Sequence, residues 1–149
     1  GQAGLGLEPT DAALTAAYLS EKLRKRKKPI KEMLHDQTVV AGIGNIYSDE
    51  ILFAAGIHPK TVCAALTEKD WARLAEKIRE VILWAIDINA MTAEEYARGQ
   101  GKEYRNMPYL RVYGRAGQPC PVCGGTLEKT TVGGRSSCYC PCCQRMKPC

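Results

Sequence analysis

The sequence predicts a mainly α chain: a helical, bundle-like domain over residues 1–110, followed by a small β-hairpin module over 111–149. Three observations carry this. Helical periodicity with recognisable caps runs to about residue 88. Seven of the eight cysteines fall in the last thirty residues. In that same stretch Gly and Pro rise, and TLEKTTVGGRSSCYC alternates like a hairpin turning at Gly133–Gly134.

The elements follow in order. Residues 10–26 read as a helix, with Thr10 or Asp11 as cap and Leu14, Ala17, Tyr18 and Leu19 on its apolar side. Pro29 stops it and suits the first turn of a short helix over 29–35. Residues 37–44 hold an apolar run ending in glycines, read as a turn. A helix from Asn45 to Ala55 ends at Gly56, a natural left-handed terminator, with Pro59 close behind. Thr67 and Asp70 signal the start of the longest helix, 67–88, with Trp71, Leu74, Ile78, Val81 and Ala85 as its buried stripe. Thr92 and Glu95 resemble a capping box for a short helix in TAEEYARG, and Gly99 to Met107 reads as an exposed loop.

The cysteines carry the most specific chemistry. CPVC at 120–123 and CPCC at 140–143 give the pattern C-x2-C-x16-C-x2-C. Two thiolates two residues apart chelate one Zn²⁺ on a tight knuckle, and the hairpin returns the second pair to close a tetrahedron. The expected ligands are Cys120, Cys123, Cys140 and Cys143, holding one structural Zn²⁺. So small a module lacks an adequate apolar core, so metal binding supplies much of its folding energy. Cys138 and Cys142 compete as ligands, and Cys63 reads as a small core residue. No signal peptide or membrane-length apolar run is visible, which turns the cysteines away from a secreted disulfide framework. The chain opens with Gly1 rather than Met, and reads as a piece of a longer protein.

The formal net charge is +5, unevenly spread. Residues 111–149 alone carry six basic and one acidic side chain. A second basic block comprises Lys22, Arg24, Lys25, Arg26, Lys27, Lys28 and Lys31. Two separated basic patches suggest a polyanionic partner. For the 22–31 block, a solvated helix end rich in Lys and Arg is an equal alternative.

VAGIGNIYSDEILFAAGIHP, residues 40–59, raises the sharpest question. Two glycines and a polar residue precede a helix, and a helix N-terminus attracts anions. A dinucleotide-binding loop would need a third glycine where Tyr47 stands, and no Gly-Lys-Ser/Thr follows for a Walker loop. Taken alone, Asn45 is an ordinary N-cap beside a tight turn. Arg135, just after the Gly-Gly turn, is an exposed cation able to fork onto a phosphate, or a plain surface charge.

The combination is more specific than its parts. GIGNIY with AGIHP, then a long helix, then LRVYGRAGQPCPVC, CGGTLEKTT and GRSSCYCPCCQ closely resembles the C-terminal half of the formamidopyrimidine-DNA glycosylase and endonuclease VIII family, from about Leu5 to Arg145. The resemblance implies a helix–two-turns–helix DNA-binding domain followed by a zinc finger. It implies that Gly44, Asn45 and nearby N–H groups hold a phosphate beside the damaged nucleotide. Lys31 would lie near the DNA backbone, and Arg135 would be the finger arginine that grips a lesion phosphate. The partner implied is double-stranded DNA containing a damaged base or an abasic site, and the protein a monomer of the bacterial cytoplasm, associated with the nucleoid.

In this family an N-terminal proline amine attacks the sugar, forms a Schiff base and permits strand cleavage, assisted by an adjacent glutamate. That Pro-Glu start is absent here, so the resemblance implies that the N-terminal catalytic domain lies outside this chain. The parent would be the bifunctional glycosylase and AP lyase of base-excision repair, with oxidised or ring-opened purines favoured, and this chain alone would be inactive. A non-catalytic zinc-ribbon nucleic-acid-binding protein on the same scaffold is the alternative. Glu32, Asp49, Glu50, His35 and His58 form no catalytic constellation; the acids read as surface or local hydrogen-bond groups and the histidines as structural. Segment 88–108 departs from the family's glycine-rich region over the flipped base, which leaves base preference open. Cys138, Cys142 and Cys149 are additions near the finger, open to oxidation.

Overall fold

A computed structural model describes residues 5–88 and 109–146. Among these residues, four α-helices and one 3-10 turn precede a two-stranded hairpin: α1 Ala16–Leu23, α2 Ile30–Leu34, α3 Asn45–Ala55, the turn Cys63–Ala65, α4 Glu68–Ile88, β1 Glu128–Val132 and β2 Arg135–Tyr139. The short helix expected in TAEEYARG and the loop after it lie outside the described residues.

The first helix is shorter than its periodicity suggests. Asp11 Oδ1 accepts the Ala13 N–H at 2.8 Å, a local bond that competes with helix formation. The helix therefore starts after Thr15, whose Oγ1 accepts the Tyr18 N–H. Leu14 is nevertheless buried, ahead of the helix rather than within it.

α3 and α4 follow their sequence signals closely. α3 ends at Gly56 with φ +70°, where the Gly56 N–H bonds Phe53 O at 3.1 Å and the Ile57 N–H bonds Leu52 O at 3.0 Å. These two bonds make a Schellman terminus. At the head of α4, Asp70 Oδ2 accepts the Thr67 N–H at 2.8 Å and Thr67 Oγ1 accepts the Asp70 N–H at 3.3 Å, a reciprocal cap. Its buried face holds Trp71, Leu74, Ile78, Ile82 and Ala85; Ile82 is buried where Val81 was expected, and Val81 is half-buried. No helix among the described residues is long and apolar enough to cross a membrane.

β1 and β2 pair antiparallel from Glu128 opposite Tyr139 to Val132 opposite Arg135. The two-residue turn Gly133–Gly134 has φ +56° and +79°, a geometry that favours glycine at both places.

Among the described residues, two apolar clusters organise the fold. The larger joins all four helices, with Leu19, Leu23, Ile30, Leu34, Ile51, Leu52, Leu74 and Ile78 fully buried. The smaller lies under the hairpin and combines Val112, Cys120, Leu127, Cys138 and Cys140 with Phe53 of α3. α3 thus serves both cores. It is buried on nearly every side, the polar Ser48, Asp49 and Glu50 included.

Candidate nucleic-acid interface and metal centre

The four expected cysteines converge. Sγ atoms of Cys120, Cys123, Cys140 and Cys143 all lie within 4.8 Å of one another. Cys120 to Cys143 is 3.9 Å and Cys123 to Cys140 is 3.5 Å. Four thiolates at about 2.3 Å from one Zn²⁺ stand roughly 3.8 Å apart in a regular tetrahedron, so the cluster is sized for that ion. Backbone N–H groups of Val122, Gly125 and Cys143 point at Cys120, Cys123 and Cys140 Sγ, each at 3.4 Å, and favour the thiolate form. The donor set fits one structural zinc with its coordination shell filled by protein. Of the remaining thiols, Cys63 is sealed in the helical core, where burial pushes its pKa up to about 12. Cys138 is buried under the hairpin, and Cys142 is exposed. Neither joins the four-sulfur cluster.

Consecutive acids on α3 fasten this module to the helices. Asp49 Oδ1 accepts from Lys31 Nζ at 2.7 Å and from Ser137 Oγ at 2.8 Å, while Oδ2 accepts the Cys138 N–H at 3.0 Å. The Glu50 carboxylate accepts three backbone N–H groups, of Arg111, Val112 and Tyr113, each at 2.9 Å. Both acids are buried. This corrects the sequence reading of Asp49 and Glu50 as surface or local groups: apart from the Lys31 pair, 18 positions away, their bonds reach residues 61 to 89 positions away. The available signal was two adjacent acids within an otherwise apolar helix, since buried charges require partners. Gln144, also missed, adds a third tie; it accepts the Cys140 N–H at 2.8 Å and donates to Ile57 O at 2.9 Å.

The ties bring the hairpin tip to the head of α3. Asn45 is the first helical residue and not the cap; Gly44 occupies the cap position and supplies no side chain. The Asn45 amide instead reaches across and donates to Ser136 O at 3.1 Å. Lys31 Nζ donates to the same carbonyl at 2.9 Å. The two glycines of GIGN differ in purpose. Gly42 has φ +82° and needs its freedom. Gly44 has φ −86°, and a Cβ added there would meet nothing within 4 Å, so neither backbone strain nor crowding within the chain demands glycine.

Of the predicted contacts, Gly44, Asn45 and Arg135 are brought to one corner, with Gly44 and Arg135 exposed. Lys31 lies behind that corner, with no solvent exposure. His35 sits nearby with Nε2 3.0 Å from Ser48 Oγ. Burial, helped by the Arg135 and Lys31 cations, pushes its pKa down to about 4, so the ring is neutral at physiological pH. His58 packs on Tyr139 at 4.4 Å between ring centroids and accepts the Lys60 N–H, a structural placement.

Comparison with known proteins finds the same two modules in the same order. The formamidopyrimidine-DNA glycosylase H2TH domain matches residues 5–97, and the zinc finger found in FPG and IleRS matches residues 117–145. Formamidopyrimidine-DNA glycosylase of Pelotomaculum thermopropionicum is 43% identical over 143 residues, 96% of this chain and 52% of that protein. The enzyme of the same name from Trichodesmium erythraeum is 45% identical over 141 residues, 95% and 47% respectively. Among solved structures, Lactococcus lactis Fpg in complex with DNA containing an abasic site superposes with a TM-score of 0.82 at 36% identity, covering 95% of this chain and 52% of that one. The same protein with DNA containing FAPY-dG gives 0.82 at 37% identity, with 95% and 51% covered. The chain spans about half the length of the curated relatives it matches. By its helical domain, its four-cysteine finger and their order, the chain belongs to the formamidopyrimidine-DNA glycosylase family.

Proposed function

We propose that this chain is the DNA-gripping part of a bifunctional DNA glycosylase and AP lyase of base-excision repair, acting on duplex DNA that holds a damaged base or an abasic site. The observation that carries the reading is one corner of the molecule: the α3 N-terminus without a side-chain cap, the Asn45 amide and the exposed Arg135, beside the open space over Gly44. Helix dipole, amide N–H and guanidinium fork all favour a phosphate there. The grips come from two different elements, so a strand lying between them is pinched, which suits extrusion of a base from the stack.

Lys31 acts from behind this corner. Its ammonium has two of its three protons engaged by Asp49 and Ser136 O, so it lends positive potential and fixes the hairpin carbonyl rather than lying along the strand. Zinc, held by four thiolates, stiffens the platform that carries Arg135. The family's lyase chemistry belongs to the part of the relatives that this chain does not span, and this chain alone is inactive. Its site is that of a monomer working in the bacterial cytoplasm at the nucleoid. Oxidised or ring-opened purines are the favoured lesions; Lactococcus lactis Fpg has been captured with FAPY-dG and also with an oxidised pyrimidine.

Equilibrium binding to a duplex with an abasic-site analogue tests the grip. Arg135→Ala and Asn45→Ala should each weaken binding about tenfold or more, the order expected for a lost hydrogen bond to a charged group, with unchanged circular dichroism. Unchanged affinity in both variants removes the pinch. Borohydride trapping tests the division of labour: the parent protein should form a covalent adduct and this chain none, and an adduct with this chain alone overturns it.

A further inference from the structure

The cations of the loop between α1 and α2 have no task in the reading above. A basic helix end would have explained them, since Lys and Arg complement the dipole of a last turn. The structure removes that explanation for most of them. α1 stops at Leu23, Arg24 is its cap, and Lys22 alone among the basic residues lies in the last turn. Lys25, Arg26, Lys27 and Lys28 come after the helix has ended.

The loop is fastened along its length. The Arg26 N–H bonds Leu23 O at 2.9 Å, Arg26 O accepts the Ala64 N–H at 3.0 Å, and Lys28 O accepts the Cys63 N–H at 3.0 Å. Leu23 before it and Ile30 after it are fully buried. Residues 24–28 are nevertheless all exposed. None of their side chains lies within ion-pairing distance of a carboxylate among the described residues. Consecutive like charges on a fixed backbone repel one another, and a polyanion relieves that repulsion.

The loop also has a definite place. It leads directly into α2, the helix on which the hairpin tip rests: Lys31 Nζ donates to Ser136 O, and Gly133 is packed against the Glu32 side chain. Lys28 is three residues from Lys31, so their Cα atoms are no more than about 11 Å apart. Arg26 and Lys28 are felt electrostatically at Asp36, next to His35, which feels Arg135 in turn.

We infer that residues 24–28 form a second, sequence-independent contact with duplex DNA, on backbone phosphates flanking those held by Arg135 and Asn45. The inference rests on the proposed DNA-gripping role. Backbone contacts of this kind position a protein without reading bases, and they let it hold undamaged DNA during search.

The test uses the full chain and the variant K25Q/R26Q/K27Q, whose changes are all at exposed positions. Binding is measured across a salt series on undamaged and abasic-analogue duplexes of about 30 base pairs. On both, the slope of log K against log salt should become shallower by about two to three, and affinity at low salt should fall at least tenfold. K25R/K27R should keep the parent slope. An unchanged slope in the triple variant overturns the inference, as does an equal loss of slope in K25R/K27R. Arg135→Ala, run alongside, separates the two ideas. If it weakens binding while the triple variant does not, only the flanking contact fails; if neither does, the gripping role fails too.

Discussion

Lys31 has no solvent contact, yet its ammonium meets one carboxylate and one carbonyl within 3 Å. Burial disfavours charge on both members of the pair, lowering the pKa of Lys31 and raising that of Asp49; their mutual attraction opposes both shifts. Removing one partner leaves the other charged or forces it to neutralise. Lys31→Met should therefore cost about 3–5 kcal/mol in chemical denaturation. K31M/D49N should recover part of that, because the amide oxygen still accepts the Cys138 N–H, its NH₂ can donate to the Ser137 hydroxyl, and no unpaired charge remains. A double variant less stable than the single one would show that the Asp49 charge is wanted for itself. The family resemblance placed Lys31 near the backbone of DNA. Within the chain its partners are 18 and 105 residues away, and no local pattern encodes such pairings.

Elements were legible where their signals are local. The Thr67 and Asp70 cap, the Gly56 terminus, the Gly-Gly turn and the two knuckles each lie within a few residues, and each is found where its chemistry placed it. α1 was not, because its start depends on whether Asp11 turns the chain back on itself. The finger carries the prediction at this scale. Its own apolar cluster is small and includes two of its own ligand cysteines, so zinc binding, on the order of 10 kcal/mol in such modules, is needed to hold the hairpin. Metal analysis should return about one zinc per chain. Strong chelation should abolish the β1–β2 amide protection seen in hydrogen exchange while α1 to α4 retain theirs. Cys140→Ser should lose the metal, whereas Cys142→Ser should keep it, because Cys142 lies outside the four-sulfur cluster. A zinc-free chain with an intact hairpin would sink the assignment.

On the scale of the whole molecule, α3 joins three structures that sequence places far apart. Its N-terminus faces the hairpin tip through Asn45, its middle holds β2 through Asp49 and the 111–113 backbone through Glu50, and Phe53 completes the core of the finger. The position of Arg135 relative to the head of α3 is therefore set by two consecutive acids little more than one turn along the same helix. Glu50→Gln isolates this arrangement. Glutamine keeps one acceptor; even with its oxygen toward the Val112 and Tyr113 N–H groups, its NH₂ faces the Arg111 N–H. Donor then faces donor in a buried site, at a cost of about 1–3 kcal/mol for each group left unpaired. Neither the helical core nor the four thiolates include Glu50, so helicity and zinc content should persist. DNA affinity should fall nonetheless, because Arg135 and Asn45 no longer share a fixed geometry. Loss of zinc together with affinity would mean that Glu50 supports the folding of the finger. Loss of affinity alone would establish that the proposed grip depends on how the two modules are held against each other.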